Sequence, residues 1–219
     1  MSERWATFDC YGTLADWVGG MTAAVAPYAG ARTPELMDAY YAAELEVEHE
    51  QPTARYREIL ALSLERAAAR VGVEVPRDAI GATWGDMPIF DDTRPALQAL
   101  QADGWKLAIL TNCDDALIAL TVEKMGIAFE DIVTAEQAGS YKPAPGHWEA
   151  FARRHPDVGV HIHVAESYVH DHVATHALGL PSVWIDRRRT GQDDSIVTAH
   201  LHALKALPET LARLAASAA

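Results

Sequence analysis

Along most of the chain, apolar positions recur either in short unbroken runs or at helical spacing. Trp5-Ala6-Thr7-Phe8 is a compact apolar, β-favouring run that stops at Asp9 and meets a turn signal in Tyr11-Gly12-Thr13. It predicts a buried strand ending in a loop. From about Gly19 to Pro88 the pattern is helical. Met37, Tyr41 and Leu45 are spaced by four in a helix from about Pro34 to Glu48. Tyr56, Leu60, Leu64, Ala67 and Val71 follow at steps of four, four, three and four. Pro52-Thr53 and Gly72 bracket the second of these helices.

After about Phe90 the pattern alternates. A helix opening at Thr93-Arg94-Pro95 and closed by Gly104 leads into Leu107-Ala108-Ile109-Leu110, a continuous apolar run of the kind buried in parallel sheets. A helix over about 114–125 ended by Gly126, a strand near 131–134, a helix over 146–154, a strand at 160–164, a helix over 169–178 and a strand at 182–185 follow. Strands alternating with helices of this length predict an α/β fold, a doubly wound parallel sheet covered on both faces. The helical stretch interrupts it after the first strand. Residues 1–15 and 90–219 are therefore read as the α/β core and 16–89 as a helical cap domain.

Composition narrows the functional classes. The chain has 219 residues, 49% of them apolar and 22% charged, with only 14 Gly and 11 Pro, which is a globular profile and not a disordered one. Eighteen basic against 31 acidic residues give a formal charge of −13, which repels phosphate backbones and anionic head groups. We expect no nucleic-acid and no membrane partner. Two cysteines, Cys10 and Cys113, make no disulfide framework, and the start lacks a leader pattern, so the expected location is cytoplasmic.

Ligands of open α/β sheets sit beyond the carboxyl ends of the strands. The polar residues there are Asp9, Tyr11 and Thr13 after the first strand, then Thr111, Asn112 and Asp114 after the second. Lys142 follows the third, and Glu166, Ser167 and Asp171 follow the fourth. Nucleophile, cation, neutral hydrogen-bonding groups and further carboxylates form the inventory of a hydrolytic site.

Phe8-Asp9-Cys10-Tyr11-Gly12-Thr13-Leu14, Leu110-Thr111-Asn112, Tyr141-Lys142-Pro143 and Ala165-Glu166-Ser167 with Asp171 resemble, in order, the four motifs of the haloacid dehalogenase superfamily. The resemblance covers nearly the whole chain, including the place where that superfamily inserts a helical cap. It implies Asp9 as covalent nucleophile, Lys142 as the positive charge beside it and Thr111 as a substrate-binding hydroxyl. The phosphatases of the superfamily carry an Asp two positions after the nucleophile to protonate the leaving oxygen. Here Tyr11 stands there, a poor acid for that task, whereas a halide needs no proton. The Asp-x-Tyr-Gly-Thr-Leu form is similar to the L-2-haloacid dehalogenase branch. That implies a small anionic 2-haloacid substrate, no cofactor, Asp171 positioning the hydrolytic water with Lys142, Asn112 near the halide, and Tyr11, Thr13 and an aromatic wall at Trp148 around the substrate. A homodimer fits the family.

Three positions depart from that branch. Tyr41 stands where the dehalogenases carry a cap arginine, with Arg55 and Arg57 read as surface residues; Glu166 and Tyr168 replace small polar side chains. Glu166 resembles the acidic residue with which the phosphatases bind magnesium, so the alternative reading is a magnesium-dependent phosphatase with Asp9 and Glu166 as ligands. A binding protein that keeps the fold without turnover is a third reading, which the intact Asp9 and Lys142 disfavour.

The remaining clusters are read as structural. Glu44, Glu46, Glu48 and Glu50 are taken as a solvated helix face, Arg187-Arg188-Arg189 as a solvated turn, and Cys10 as a buried small residue. His172 and His176, four apart on a helix, have the spacing of a zinc chelate but lack a completing partner. His161 and His163 share one strand face.

Overall fold

The structure, a computed structural model, describes residues 3–217. Met1 and Ser2, at the head of the first predicted segment, lie outside it. Six strands form one sheet among the described residues: β1 (Glu3–Phe8), β2 (Lys106–Thr111), β3 (Asp131–Thr134), β4 (Val158–Ala165), β5 (Ser182–Ile185) and β6 (Ala199–Leu201). They pair throughout in parallel, in the order β3-β2-β1-β4-β5-β6. The chain builds outward from β1 in both directions, so the carboxyl ends of β1, β2 and β4 flank the switch point where α/β sheets bind ligands.

Both faces of the sheet are buried, and alternate residues of each strand divide between them. Ala6, Phe8, Leu107, Ile109, Ile162 and Val164 join one large core. Trp5, Ala108, Leu110 and Val133 turn to the other face and meet Trp148 and Phe151. The ring of Trp5 lies edge-on to Phe151 at 5.2 Å, a favourable aromatic geometry.

Between β1 and β2 lie α1 (Trp17–Ala29), α2 (Thr33–Glu50), α3 (Tyr56–Val71), the short α4 (Ala79–Ala82) and then α5 (Thr93–Ala102). α1 begins where the Asp16 side chain accepts from the amide of Gly19, a side-chain N-cap. α2 and α3 pack along each other; α3 ends at Gly72 with φ +74°, the left-handed C-cap that favours glycine. The two crossings between the helical stretch and the rest of the chain run side by side. Ala15 bridges Ile89, Asp16 N–H donates to Pro88 and Phe90 N–H donates to Leu14.

The buried face of α2 differs from the expected one. Leu36, Met37, Tyr40, Ala43, Glu44 and Val47 point inward, whereas Leu45 is exposed and Tyr41 half-buried. Spacing by four located the helix but not its rotation, because Tyr40 and Tyr41 compete for the core. Beyond β2 the elements are α6 (Asp115–Met125), α7 (Ala135–Ala138), α8 (Gly146–Arg154), a π-helical turn at Tyr168–His172 running into α9 (Val173–Ala177), and α10 (Leu207–Ser217). Among the described residues no helix is long and apolar enough to cross a membrane.

Candidate active site

Each strand at the switch point delivers its next residue to one place. β1 ends at Phe8, and Asp9 follows with its backbone N–H still bonded to Val164 of β4. Gly12 turns the chain away at φ +94°; a side chain there would meet Glu166 Oε2 at 3.2 Å. Thr13 comes back under Asp9. Its hydroxyl donates to Asp9 Oδ2 at 2.9 Å and accepts from the amide of Glu166 at 2.8 Å, tying the β1 and β4 loops together. Thr13 is wholly buried and touches the carboxylate, not the cavity that a substrate would fill.

Lys142 crosses to the same point from the loop after β3. Its ammonium donates to Asp9 Oδ1 at 2.9 Å, to Asp171 Oδ1 at 2.7 Å and to the carbonyl of Leu110 at 2.9 Å, which uses all three of its protons. The lysine is about 2% exposed. Burial disfavours its charge, but Asp171 and Asp9 outweigh that and raise its pKa. Asp171 also takes a hydrogen bond from His163 Nε2 at 2.9 Å. Burial works against its ionisation too, yet Lys142 and His163 hold its carboxyl well below the usual range. Its second oxygen, Oδ2, is buried without a partner. For Asp9, burial pushes the carboxyl up while Lys142 draws it back.

Asn112 holds the lysine loop. Its Oδ1 accepts from the Lys142 amide at 2.6 Å and its Nδ2 donates to the Lys142 carbonyl at 3.2 Å. Thr111 ends β2 with its hydroxyl accepting from the Cys113 amide at 3.3 Å. Asp114 caps a helix on the other side of the cavity, its two oxygens accepting from the amides of Tyr56 and Arg57 at the start of α3. Tyr11 is half-buried; its hydroxyl accepts from Trp84 Nε1 at 2.7 Å and pairs with Thr121 at 2.8 Å, and desolvation raises its pKa well above 10.

A cavity of about 330 Å³ opens over these groups. Asp9, Tyr11, Thr111, Asn112, Lys142, Glu166 and Asp171 line it, so most of the sequence-predicted residues are brought together. Trp148 is not among them. It faces the opposite side of the sheet and lies edge-on to His163 at 5.5 Å, supporting from behind the histidine that holds Asp171. The helix that follows Lys142 runs under the sheet, which takes Trp148 away from any substrate wall.

The acidic run of α2 is not one solvated face. Glu44 is buried, accepting from Tyr40 and Tyr56 hydroxyls at 3.0 and 2.8 Å, and Glu48 faces the cavity 4.0 Å from His170 Nε2. Only Glu46 and Glu50 form a solvated face, paired with Arg66 and Arg70. Burial lifts Glu44 to about 7, and burial with the charge of Glu44 lifts Glu48 to about 8. Arg188 lines the cavity and grips Glu166 Oε1 at 2.8 Å. Arg187 spans Asp92 and the Thr13 carbonyl with its guanidinium over Phe90, so the basic run is no free turn. The partner of Glu166 is Arg188 and not Lys142. Burial raises the Glu166 carboxyl and Arg188 opposes it.

His172 is buried, its Nε2 donating to the Ala165 carbonyl and its Nδ1 accepting from Ser182, whereas His176 is exposed. His161 and His163 share the Thr7 hydroxyl at 2.9 Å each. Cys10 is fully buried, as expected. Glu44, Glu48, His170 and Arg188 were not expected to line the site. Only their arrival from separate elements makes them part of it, and no local motif marks them.

A carboxylate is thus held against a buried lysine at the carboxyl end of the central strand of an open parallel α/β sheet, with a second carboxylate across the lysine. A family model described as haloacid dehalogenase-like hydrolase matches residues 4–162, and the chain belongs to that family. It is 30% identical over 129 residues to the haloacid dehalogenase-like hydrolase domain-containing protein 3 of Danio rerio, covering 58% of this chain. The chain spans about half, 52%, of that relative's length. Among solved structures it is similar to the L-2-haloacid dehalogenase from Xanthobacter autotrophicus with chloropropionic acid covalently bound. That match has 16% identity and a TM-score of 0.84 over 96% of this chain and 98% of the other. It is also similar to the HAD-hydrolase YfnB from Bacillus subtilis bound to magnesium, with 17% identity and a TM-score of 0.80 over 97% and 100% of the two chains. At these identities the likeness is one of fold.

Proposed function

We propose that this hydrolase displaces halide from a small 2-haloacid through an ester on Asp9, under a cap formed by residues 16–89. The observation that carries the reading is Tyr11. Its hydroxyl is held between Trp84 and Thr121 with a raised pKa, so the position two after Asp9 offers no acid for an alkoxide leaving group. In the proposed first step an oxygen of Asp9 attacks the halogen-bearing carbon; the C–O bond forms as the C–X bond breaks, and the halide leaves with the electron pair. Lys142 holds Asp9 ionised and in place.

In the second step a water attacks Cγ of Asp9. Asp171 lies at the cavity wall, and its buried, unpartnered Oδ2 is the acceptor assigned to that water, its proton passing there as the tetrahedral centre forms. Lys142 steadies the charge that develops on the ester carbonyl. The hydroxyacid departs with that proton, and Asp9, left as the acid, returns to carboxylate by releasing the second proton of the water to solvent.

The same family reading allows a magnesium-dependent phosphatase, favoured by Glu166 beside the nucleophile. Against it, Glu166 is held by Arg188, and both oxygens of Asp9 already accept hydrogen bonds. A magnesium ion needs only one or two protein carboxylates beside water and substrate phosphate, so in that reading Asp9 and Glu166 would hold it once Arg188 released Glu166.

The test is halide release from L-2-chloropropionate by the wild-type protein and Asp9→Asn, with and without excess EDTA. The expected result is release unaffected by EDTA and reduced roughly a thousandfold or more in the variant. No release, together with EDTA-sensitive hydrolysis of a phosphate-ester panel, overturns it in favour of the phosphatase.

A further inference from the structure

A second constellation lies at the far side of the sheet, where β5 ends beside the edge strand β6. Asp186 follows β5 and is about 1% exposed. His200 is the middle residue of β6, paired in register with Trp184, and His202 follows that strand. One ligating atom from each of Asp186, His200 and His202 lies within 4.8 Å of the other two. We propose that these three residues bind a divalent first-row transition metal of the zinc class, with water completing a tetrahedral site.

Three features support a ligand set in place of a chance cluster. His200 Nε2 is buried and has no hydrogen-bond partner, and Asp186 Oδ2 lies 3.4 Å away. The other ring nitrogen of His200, Nδ1, lies 3.2 Å from Asp194 Oδ2. Donation from Nδ1 to that carboxylate fixes the tautomer with the lone pair on Nε2, the outer-shell arrangement that metal-bound histidines use. The ring is held flat on Trp184 at 4.3 Å and 15°.

His202 is oriented in the same way. Its Nδ1 lies 3.0 Å from the backbone carbonyl of Asp186, so donation there leaves Nε2 unprotonated. Asp186 accepts from the Thr190 amide at 2.9 and 3.0 Å, which pins the carboxylate yet leaves lone pairs free for a metal. Two imidazoles and one carboxylate suit zinc, cobalt or nickel and not magnesium or calcium, which favour all-oxygen shells. Bonds of about 2.0–2.1 Å require ligand atoms about 3.3 Å apart, a closure that rotation of the exposed His202 ring supplies.

The consequence is a clip. A metal here would join the end of β5 to β6 and close residues 187–199 into a loop, the kind of crosslink that removes freedom from the unfolded chain. Arg188, the residue that grips Glu166 at the catalytic cavity, rides on that loop. The site is independent of the reaction proposed above and stands or falls on metal binding alone.

The test is a titration of metal-stripped protein with Co²⁺, read by visible absorption and displaced with Zn²⁺, alongside thermal melts with Zn²⁺ or Mg²⁺. The expected result is one equivalent of tetrahedral cobalt. With zinc held at about a hundred times its Kd, Tm should rise roughly 5–10 °C, and Mg²⁺ should give no shift. His200→Ala and His202→Ala should each weaken cobalt binding at least tenfold, whereas His176→Ala, on α9, should leave it intact. Loss of the Trp184 stack could disturb folding in His200→Ala, so the exposed His202→Ala, checked by circular dichroism, decides. No cobalt spectrum, or one that survives in folded His202→Ala, overturns the proposal.

Discussion

Lys142 is the residue on which the site depends, because it is buried between two carboxylates that burial alone would not keep ionised together. The same balance runs the other way at Glu48, which has no cation against it and is lifted to about 8. Below that pH the cavity presents a neutral carboxyl toward an incoming anion; above it, a negative charge. For a 2-haloacid substrate we therefore expect KM to rise several-fold from pH 6.5 to 9, with kcat little changed, and Glu48→Gln to lessen that rise, the remainder coming from Glu44, lifted to about 7 at the same cavity. The same group gives a stability prediction. Its folded pKa lies above the unfolded value, so the stability it contributes is fully present below about pH 4.5 and lost as pH rises through about 8. Glu48→Gln should accordingly match the wild type at pH 5 in urea unfolding and exceed it at pH 9 by about 1–3 kcal/mol. A variant less stable than wild type at pH 9 would contradict this.

At the scale of elements, strands β2, β3 and β5 and helices α3, α5, α6 and α8 lay close to where apolar spacing put them. Buried parallel strands read as apolar runs, and glycine marks the ends of α3 and α6, at Gly72 and Gly126. β6 and α1 carry no such signal. β6 is a three-residue edge strand, His200 between Ala199 and Leu201, and its polar centre gives no apolar run to find. α1 carries Gly19, Gly20 and Pro27, which weaken the helical signal although Asp16 caps it. Trp148 shows how an element decides a residue's role. The register of α8 under the sheet turns it onto Trp5, Phe151 and His163. Trp148→Ala should lower stability by about 3–5 kcal/mol, measured by chemical denaturation, and lower kcat without raising KM, since it supports His163 from behind and meets no substrate. An increased KM with unchanged stability would restore it to a substrate wall.

Across the whole molecule, a formal charge of −13 surrounds a cavity whose two cations, Lys142 and Arg188, are both engaged by carboxylates. An anionic substrate approaches against that field, and salt screens it: the Debye length shortens from about 30 Å at 0.01 M to about 8 Å at 0.15 M. With L-2-chloropropionate, kcat/KM should rise about two- to threefold as sodium sulfate brings the ionic strength from 0.01 to 0.15 M. A fall would mean that the substrate is drawn in by positive potential. The sequence by itself determined the α/β order, the helical interruption after the first strand and the residues that follow each strand end. Those depend on spacing along the chain and on side-chain chemistry. It also supplied Asp9, Lys142 and Asp171 in order, because motifs at strand ends are contiguous. Only the tertiary structure decided that Glu44, Glu48 and Arg188 share the cavity, that Trp148 does not, and that Asp186 meets His200 and His202. Each of those meetings depends on the rotation of a helix or the path of a loop across the sheet, and such orientations are fixed by competition among distant side chains for one core, which no local pattern records.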